Sequence, residues 1–206
     1  MQIPIPASST ARARLRLAPQ VRLRCHGPDD ASRPAVQAFV AAVYAQHFDA
    51  RVTTWTPMMV SLEVDGEIVA AAGYRTGRQA LFLERYLGQP VEQAIAGRCG
   101  VAVMREQIVE IGHLASARAG SGRQLMRALA DHLQPLGLRW AVVTATAELR
   151  AILDRLLVQS VTLAPAEPGA LGAAAALWGS YYTHAPQVIA GKMAGNVERL
   201  REAVGR

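Results

Sequence analysis

The sequence predicts an α/β (α+β) fold: a mixed, mostly antiparallel central sheet flanked by helices. Three observations predict it. Residues 58–64 and 67–75 are strand-like and flank Asp65-Gly66, the dipeptide that favours a type I′ hairpin turn. Two short apolar runs rich in β-branched residues, 108–115 and 140–146, read as buried strands, and each leads into a segment of helical period. Strands that are both adjacent and separated by helices require a mixed sheet.

Each element follows from its local pattern. Val21-Arg22-Leu23-Arg24-Cys25-His26 alternates apolar and polar, the period of a half-buried strand. Residues 27–32 form a turn, Pro34 suits a first helical turn, and Val36, Phe39, Val40, Val43 and Tyr44 recur at helical spacing as a core stripe. After the hairpin, residues 81–87 make a short amphipathic piece. Pro90 opens a helix with Val91, Ala94 and Ile95 inward, and Gly97 and Gly100 end it. Past the strand at 108–115, Gly120-Ser121-Gly122 opens a helix whose inner face is Leu125, Met126, Leu129 and Leu133. Pro135-Leu136-Gly137 stops it. Residues 147–158 read as a helix with Leu149, Ile152, Leu153, Leu156 and Leu157 inside. A brief strand at 161–163, a helix-prone Ala-rich stretch at 168–177, a strand at 187–190 and a polar terminal helix from Ala194 complete the chain.

With 206 residues, 51% of them hydrophobic, one core and one domain are expected across residues 20–206, after a flexible basic leader at 1–19. The absence of any run of 18 apolar residues argues against a membrane-spanning helix. The net charge of +6 is concentrated early: Arg12, Arg14, Arg16, Arg22 and Arg24 all precede the first acid, Asp29, beyond which 17 bases meet 16 acids. A body that close to neutral gives no general field for a nucleic acid. The leader lacks the apolar core of a secretory signal, although its Arg and Ser content also matches a mitochondrial presequence. Cys25 and Cys99 are isolated, without metal-ligand spacing, which fits free thiols in a reducing cytoplasm and no metal centre.

The strand at 108–115 runs through a small-residue loop straight into a helix. Glycines let backbone approach a ligand, and the unpaired N–H groups and positive dipole end of the helix make a place to hold a phosphate. A tight strand-to-helix turn without a ligand fits the same residues.

The strand, helix, Asp-Gly hairpin and glycine-loop helix together resemble the GNAT-type N-acetyltransferase architecture over residues 21–163. Ala117 stands where that superfamily prefers Gln or Arg, with Arg118 one place late. Six separated blocks sharpen the resemblance: Gly73-Tyr74-Arg75, residues 81–87, Pro90-Val91-Glu92, residues 108–115, Thr144-Ala145-Thr146 and Trp178-Gly179-Ser180-Tyr181-Tyr182. In that order they are similar to the thermostable hemolysin family, in which Asn is expected where this chain has His113. Glu110-Ile111-Gly112-His113-Leu114 also sits where acyl-homoserine lactone synthases carry Glu-Ile-Ser-Arg-Phe.

These resemblances imply an N-acyltransferase-like enzyme that moves an acyl group from acyl-CoA or acyl-carrier protein to a small amine, with no permanently bound cofactor. Alternatives are a membrane-active hemolysin-like protein and a non-catalytic acyl-binding module. The donor is expected along Gly112, Leu114 and Ala115, at Arg118, Gly120, Ser121, Gly122 and Arg123, and against Thr144 and Thr146, with an oxyanion donor where the strand bulges near Leu114. Glu110 reads as the general base, or as half of an ion pair with Arg75 or Arg85. His113 reads as a hydrogen-bonded histidine at the strand exit or as a catalyst, facing away from Glu110 unless a bulge intervenes. Glu84 and Arg85 cover the acceptor pocket or present a solvated helix face. Tyr181 or Tyr182 protonates the leaving thiolate or packs in the core, and Arg75, Arg85 and Trp178 are candidates to hold substrate.

Overall fold

The computed structural model describes residues 18–204. Residues 1–17, which hold most of the expected leader, lie outside the described residues. In chain order the elements are β1 (Val21–His26), α1 (Arg33–Phe48), β2 (Met58–Val64), β3 (Glu67–Thr76), α2 (Glu84–Leu87), α3 (Val91–Cys99) and β4 (Ile108–Ser116). Then come α4 (Ser121–Leu133), β5 (Trp140–Ala145), α5 (Ala147–Arg155), β6 (Val161–Pro165), β7 (Gln187–Lys192) and α6 (Met193–Val204).

The seven strands form one sheet in the order β1-β2-β3-β4-β5-β7-β6, antiparallel except for the β4–β5 pair. The β2–β3 hairpin turns at Asp65 and Gly66, both at positive φ (53° and 86°), as a type I′ turn requires. Helix α4 lays Leu125, Leu129 and Leu133 on one face of the sheet against Val60, Leu62, Ala72 and Val109, and Val197 and Leu200 of α6 join that core. The other face is covered by Val36, Val40 and Tyr44 of α1, and by Leu83, Val91 and Ile95 of the α2–α3 region.

Several sequence expectations are corrected. β1 is an edge strand whose residues are mostly exposed rather than half buried. α5 ends at Arg155, and Leu157, expected inside, is 70% exposed in a left-handed turn (φ 57°). The Ala-rich stretch forms 3-10 turns over Pro168–Trp178, broken at Gly172, because φ 55° and ψ −134° there lie outside helical geometry.

Candidate active site

The centre of the sheet holds an opening. The parallel β4–β5 pairing joins Ile108 to Trp140, Val109 to Ala141, Glu110 to Val142 and Ile111 to Val143, and goes no further. β5 continues against β7 through Thr144 and Ala145, while β4 continues against β3 through Ala115 and Ser116. The two strands therefore part just past Ile111 and Val143. On the β3 side, Gly112 faces Gly73 and Ala115 faces Ala71, so His113 and Leu114 together stand against Ala72. That bulge leaves β4 with one residue too many for its partner. His113 takes a left-handed φ of 53° within it. Strand alternation fails there, and His113 and Glu110 come to line the same pocket.

Three connected spaces occupy the opening. The largest is a cavity of about 700 Å³ running past Gly112, Leu114 and Ala115 of β4, Thr144 at the end of β5, Thr146, and Gly120, Gly122 and Arg123 at the start of α4. Arg118, Arg155 and Arg199 also border it. Behind Leu114, Met126, Val143 and Leu149 lies an apolar chamber of about 110 Å³, walled by residues such as Leu129 of α4, Leu153 of α5, Leu200 of α6 and Ile189 of β7. Toward α1, past Gly112, His113, Thr144 and Tyr181, lies a small pocket of about 60 Å³ with polar groups from Arg75, Glu110, Thr54 and Thr56. Tyr44, Phe82, Tyr86 and Trp178 supply its aromatic walls.

At the loop end, Gly120 adopts φ 82° as the residue before α4, a conformation that favours glycine. The Ser121 N–H turns back onto the Arg118 carbonyl at 3.1 Å, leaving Gly122 and Arg123 as the next amides of the first turn. Three expected donor contacts are otherwise engaged. The buried Ser121 Oγ lies 3.0 Å from the Val69 carbonyl and 2.8 Å from Ser116 Oγ, fastening the loop rather than facing a ligand. Arg118 pairs with Glu67 at 2.5 Å. Thr146 Oγ1 accepts the Leu149 N–H at 3.4 Å and caps α5. Arg123 is exposed at the cavity mouth, and Thr144 lines both the cavity and the small pocket.

In the small pocket, the buried Glu110 carboxylate accepts the Phe82 N–H at 2.7 Å on Oε2 and the Leu83 N–H at 3.1 Å on Oε1. Arg75 Nε lies 3.5 Å from Oε2, at ion-pair distance, yet makes no hydrogen bond. Burial pushes the Glu110 carboxyl above its usual range, against the two amides and the Arg75 charge, which pull the other way. Glu110 thus holds the Phe82-Leu83 backbone, and with it the pocket wall. His113 Nε2 donates to the Thr54 carbonyl at 3.0 Å, which makes Nδ1 the lone-pair nitrogen; that atom is buried and has no partner. Burial lowers its pKa to about 4, so the imidazole is neutral near pH 7. Tyr181 donates to the Thr144 carbonyl at 3.2 Å, where cavity and pocket meet. Burial raises its phenol well above the ordinary value.

Two residues expected at the site lie elsewhere. Glu84 is bound by Arg105 at 2.5 and 2.9 Å and by the Val91 N–H at 3.0 Å, which fixes the α2–α3 corner and holds its carboxyl below the usual range. Arg85 is exposed, its guanidinium 4.9 Å from the centre of the Phe82 ring. Sequence reasoning missed the wall at Thr54 and Thr56. Arg33 secures that segment by donating to the His26, Pro57 and Thr56 carbonyls at 3.2, 2.8 and 2.6 Å. The segment has no periodicity, so only its proline hinted at a fixed path. Among the described residues no three His, Cys, Asp or Glu side chains gather as a metal site.

Comparison with solved structures shows the same fold. The acyl-homoserine lactone synthase LasI superposes with a TM-score of 0.60 at 12% identity, over 89% of this chain and 95% of LasI. BjaI, a CoA-dependent acyl-homoserine lactone synthase solved with SAM and isopentyl-CoA, gives 0.61 at 11% identity over 90% of each chain. FeeM, an N-acyl amino acid synthase from uncultured soil microbes, gives 0.59 at 12% identity over 91% of this chain and 98% of FeeM. A search of curated protein sequences finds no match. The sequence profile described as thermostable hemolysin spans residues 26–197, across the hairpin, the bulged strand and the aromatic wall of the pocket, and this chain belongs to that family.

Proposed function

We propose that the protein is an N-acyltransferase that moves an acyl group from acyl-CoA or acyl-carrier protein to a small amine, in the cytoplasm where such thioesters are made. The observation that carries this reading is the opening between β4 and β5, which joins a glycine-and-arginine mouth, an apolar chamber and a polar pocket. A thioester donor has three corresponding parts. Its phosphate meets the amides of Gly122 and Arg123 and the Arg123 guanidinium. Its arm runs along Gly112 to Ala115 and past Thr144, and its acyl chain enters the chamber behind Leu114. Apolar walls there favour a chain longer than acetyl, because each buried methylene contributes roughly 0.8 kcal/mol. LasI, BjaI and FeeM, which share the fold, are named as synthases of acyl products.

The transfer needs no covalent intermediate. The amine nitrogen, entering from the polar pocket, attacks the thioester carbonyl carbon. A C–N bond forms, and the carbonyl oxygen, as it becomes an oxyanion, meets a backbone N–H of the bulged stretch near Leu114. The C–S bond then breaks, and Tyr181, kept protonated by burial, gives its proton to the departing sulfur. The proton lost by the nitrogen passes to a group in the polar pocket and restores the balance.

Thermal unfolding with a series of acyl-CoA and acyl-carrier-protein thioesters tests the reading. At one hundred times Kd a donor adds about 2.7 kcal/mol, or about 5–10 °C for a chain of this size. Protection that grows from acetyl to longer chains is the expected result. No shift with any thioester removes the reading.

A further inference from the structure

Two polar side-chain atoms among the described residues are buried without a hydrogen-bond partner: Arg75 Nε and His113 Nδ1. Both residues line the same pocket of about 60 Å³. They are complementary, one a cationic N–H donor and the other a bare lone pair. An unmatched buried polar atom costs about 1–3 kcal/mol, so two of them on residues that line one pocket point to groups that a ligand completes. Glu110 is already occupied, since each of its oxygens accepts a backbone N–H. Arg33 lies behind the pocket, where its charge, like that of Arg75, acts on the imidazole. Arg75 is the cation among the residues lining the pocket, and the carboxylate 3.5 Å from its Nε is already bound by two backbone amides.

We infer that the acceptor is an amino acid, its carboxylate held by Arg75 and its amine presented to His113 Nδ1. This rests on the acyl-transfer reading above. Carboxylate and amine sit on one carbon in such a molecule, so binding the first aims the second at the place where the pocket meets the donor cavity, beside Gly112 and Thr144. The neutral amine attacks the thioester carbon. As the C–N bond forms, its proton moves to His113 Nδ1, and as the C–S bond breaks the sulfur is protonated by Tyr181. The two protonated states then exchange one proton through the pocket, leaving His113 neutral, Tyr181 a phenol, and an N-acyl amino acid with a free thiol as products. His113 is thus a catalytic residue, while Glu110 positions the Phe82-Leu83 wall.

The test compares an amino acid, its carboxamide and the corresponding decarboxylated amine as acceptors, at saturating acyl thioester, with amide product measured by mass spectrometry. The wild-type protein is expected to prefer the amino acid by tenfold or more in kcat/KM over both neutral-tailed amines. Arg75→Gln should collapse that preference toward unity; Arg75→Lys, which keeps the charge, should retain part of it. His113→Asn should slow transfer to all three acceptors without changing their ratio. Equal use of the three by the wild-type protein, a test that needs no variant, overturns the inference and leaves acyl transfer standing. Absence of both donor protection and transfer to any acceptor overturns the two together.

Discussion

Replacing His113 by Asn should remove a built-in acid sensitivity. Asn suits the left-handed backbone at this position (φ 53°) and carries no titrating group. The native imidazole resists protonation down to about pH 4, against an ordinary value of 6.5, chiefly because it is buried. A lowered histidine pKa means that the unfolded chain takes up the proton first. Above pH 6.5 both states hold a neutral ring, and stability is unaffected. As pH falls from 6.5 towards 4, native stability is lost, by about 2 kcal/mol between pH 7 and pH 5 and about 3 kcal/mol in all. For a chain of this size the pH 5 loss is about 4–8 °C in Tm. Urea unfolding of wild type and His113→Asn at pH 7 and pH 5 isolates the effect, since every other titrating group is common to both proteins. The wild type should lose about 2 kcal/mol more than the variant over that interval. Equal losses would refute the reasoning, because they would mean that the ring is not held neutral by its burial.

Two further outcomes test the packing around the site. A Cβ on Gly73 would stand 1.8 Å from Thr56 Oγ1 and 2.9 Å from Met59 Sδ. Gly73→Ala should therefore lower the unfolding free energy by about 1–3 kcal/mol, measured as a shift in urea midpoint; an unchanged midpoint would show that the Thr56 segment gives way freely. Thr146→Ala, which removes the α5 cap, should cost about 1 kcal/mol of stability while leaving the thermal shift from an acyl thioester intact. A lost shift would instead return Thr146 to the donor site.

Much of the fold was legible in the sequence because it rests on local chemistry. Asp65-Gly66 specifies its turn through two positive φ values, and the glycines after Ser116 specify the start of α4. The order of β5, β7 and β6 was not legible, since those pairings depend on distant partners. Leu157 matched a helical stripe but lies past the point where α5 stops, an override of periodicity by the following turn. At the site, Gly112 and Thr144 were visible as residues beside the donor and Glu110 as a carboxylate in an otherwise apolar strand. The shared orientation of Glu110 and His113 was not, because it depends on a bulge built from a histidine in a left-handed conformation rather than from a glycine. Glu84 misled for a different reason: a carboxylate near a pocket wall reads the same in sequence whether it faces the pocket or the arginine behind it.

The short parallel seam also has a mechanical side. Only four rungs of strand pairing join β1 through β4 to the β5-β7-β6 group, and past them the two leaves are held by side-chain packing, with α4 and α6 on one face and Leu83, Val91 and Ile95 on the other. A zipper open along half its length gives admission and surrenders stiffness in the same stroke. Any molecule lodged between the leaves would brace them as a spline braces a joint.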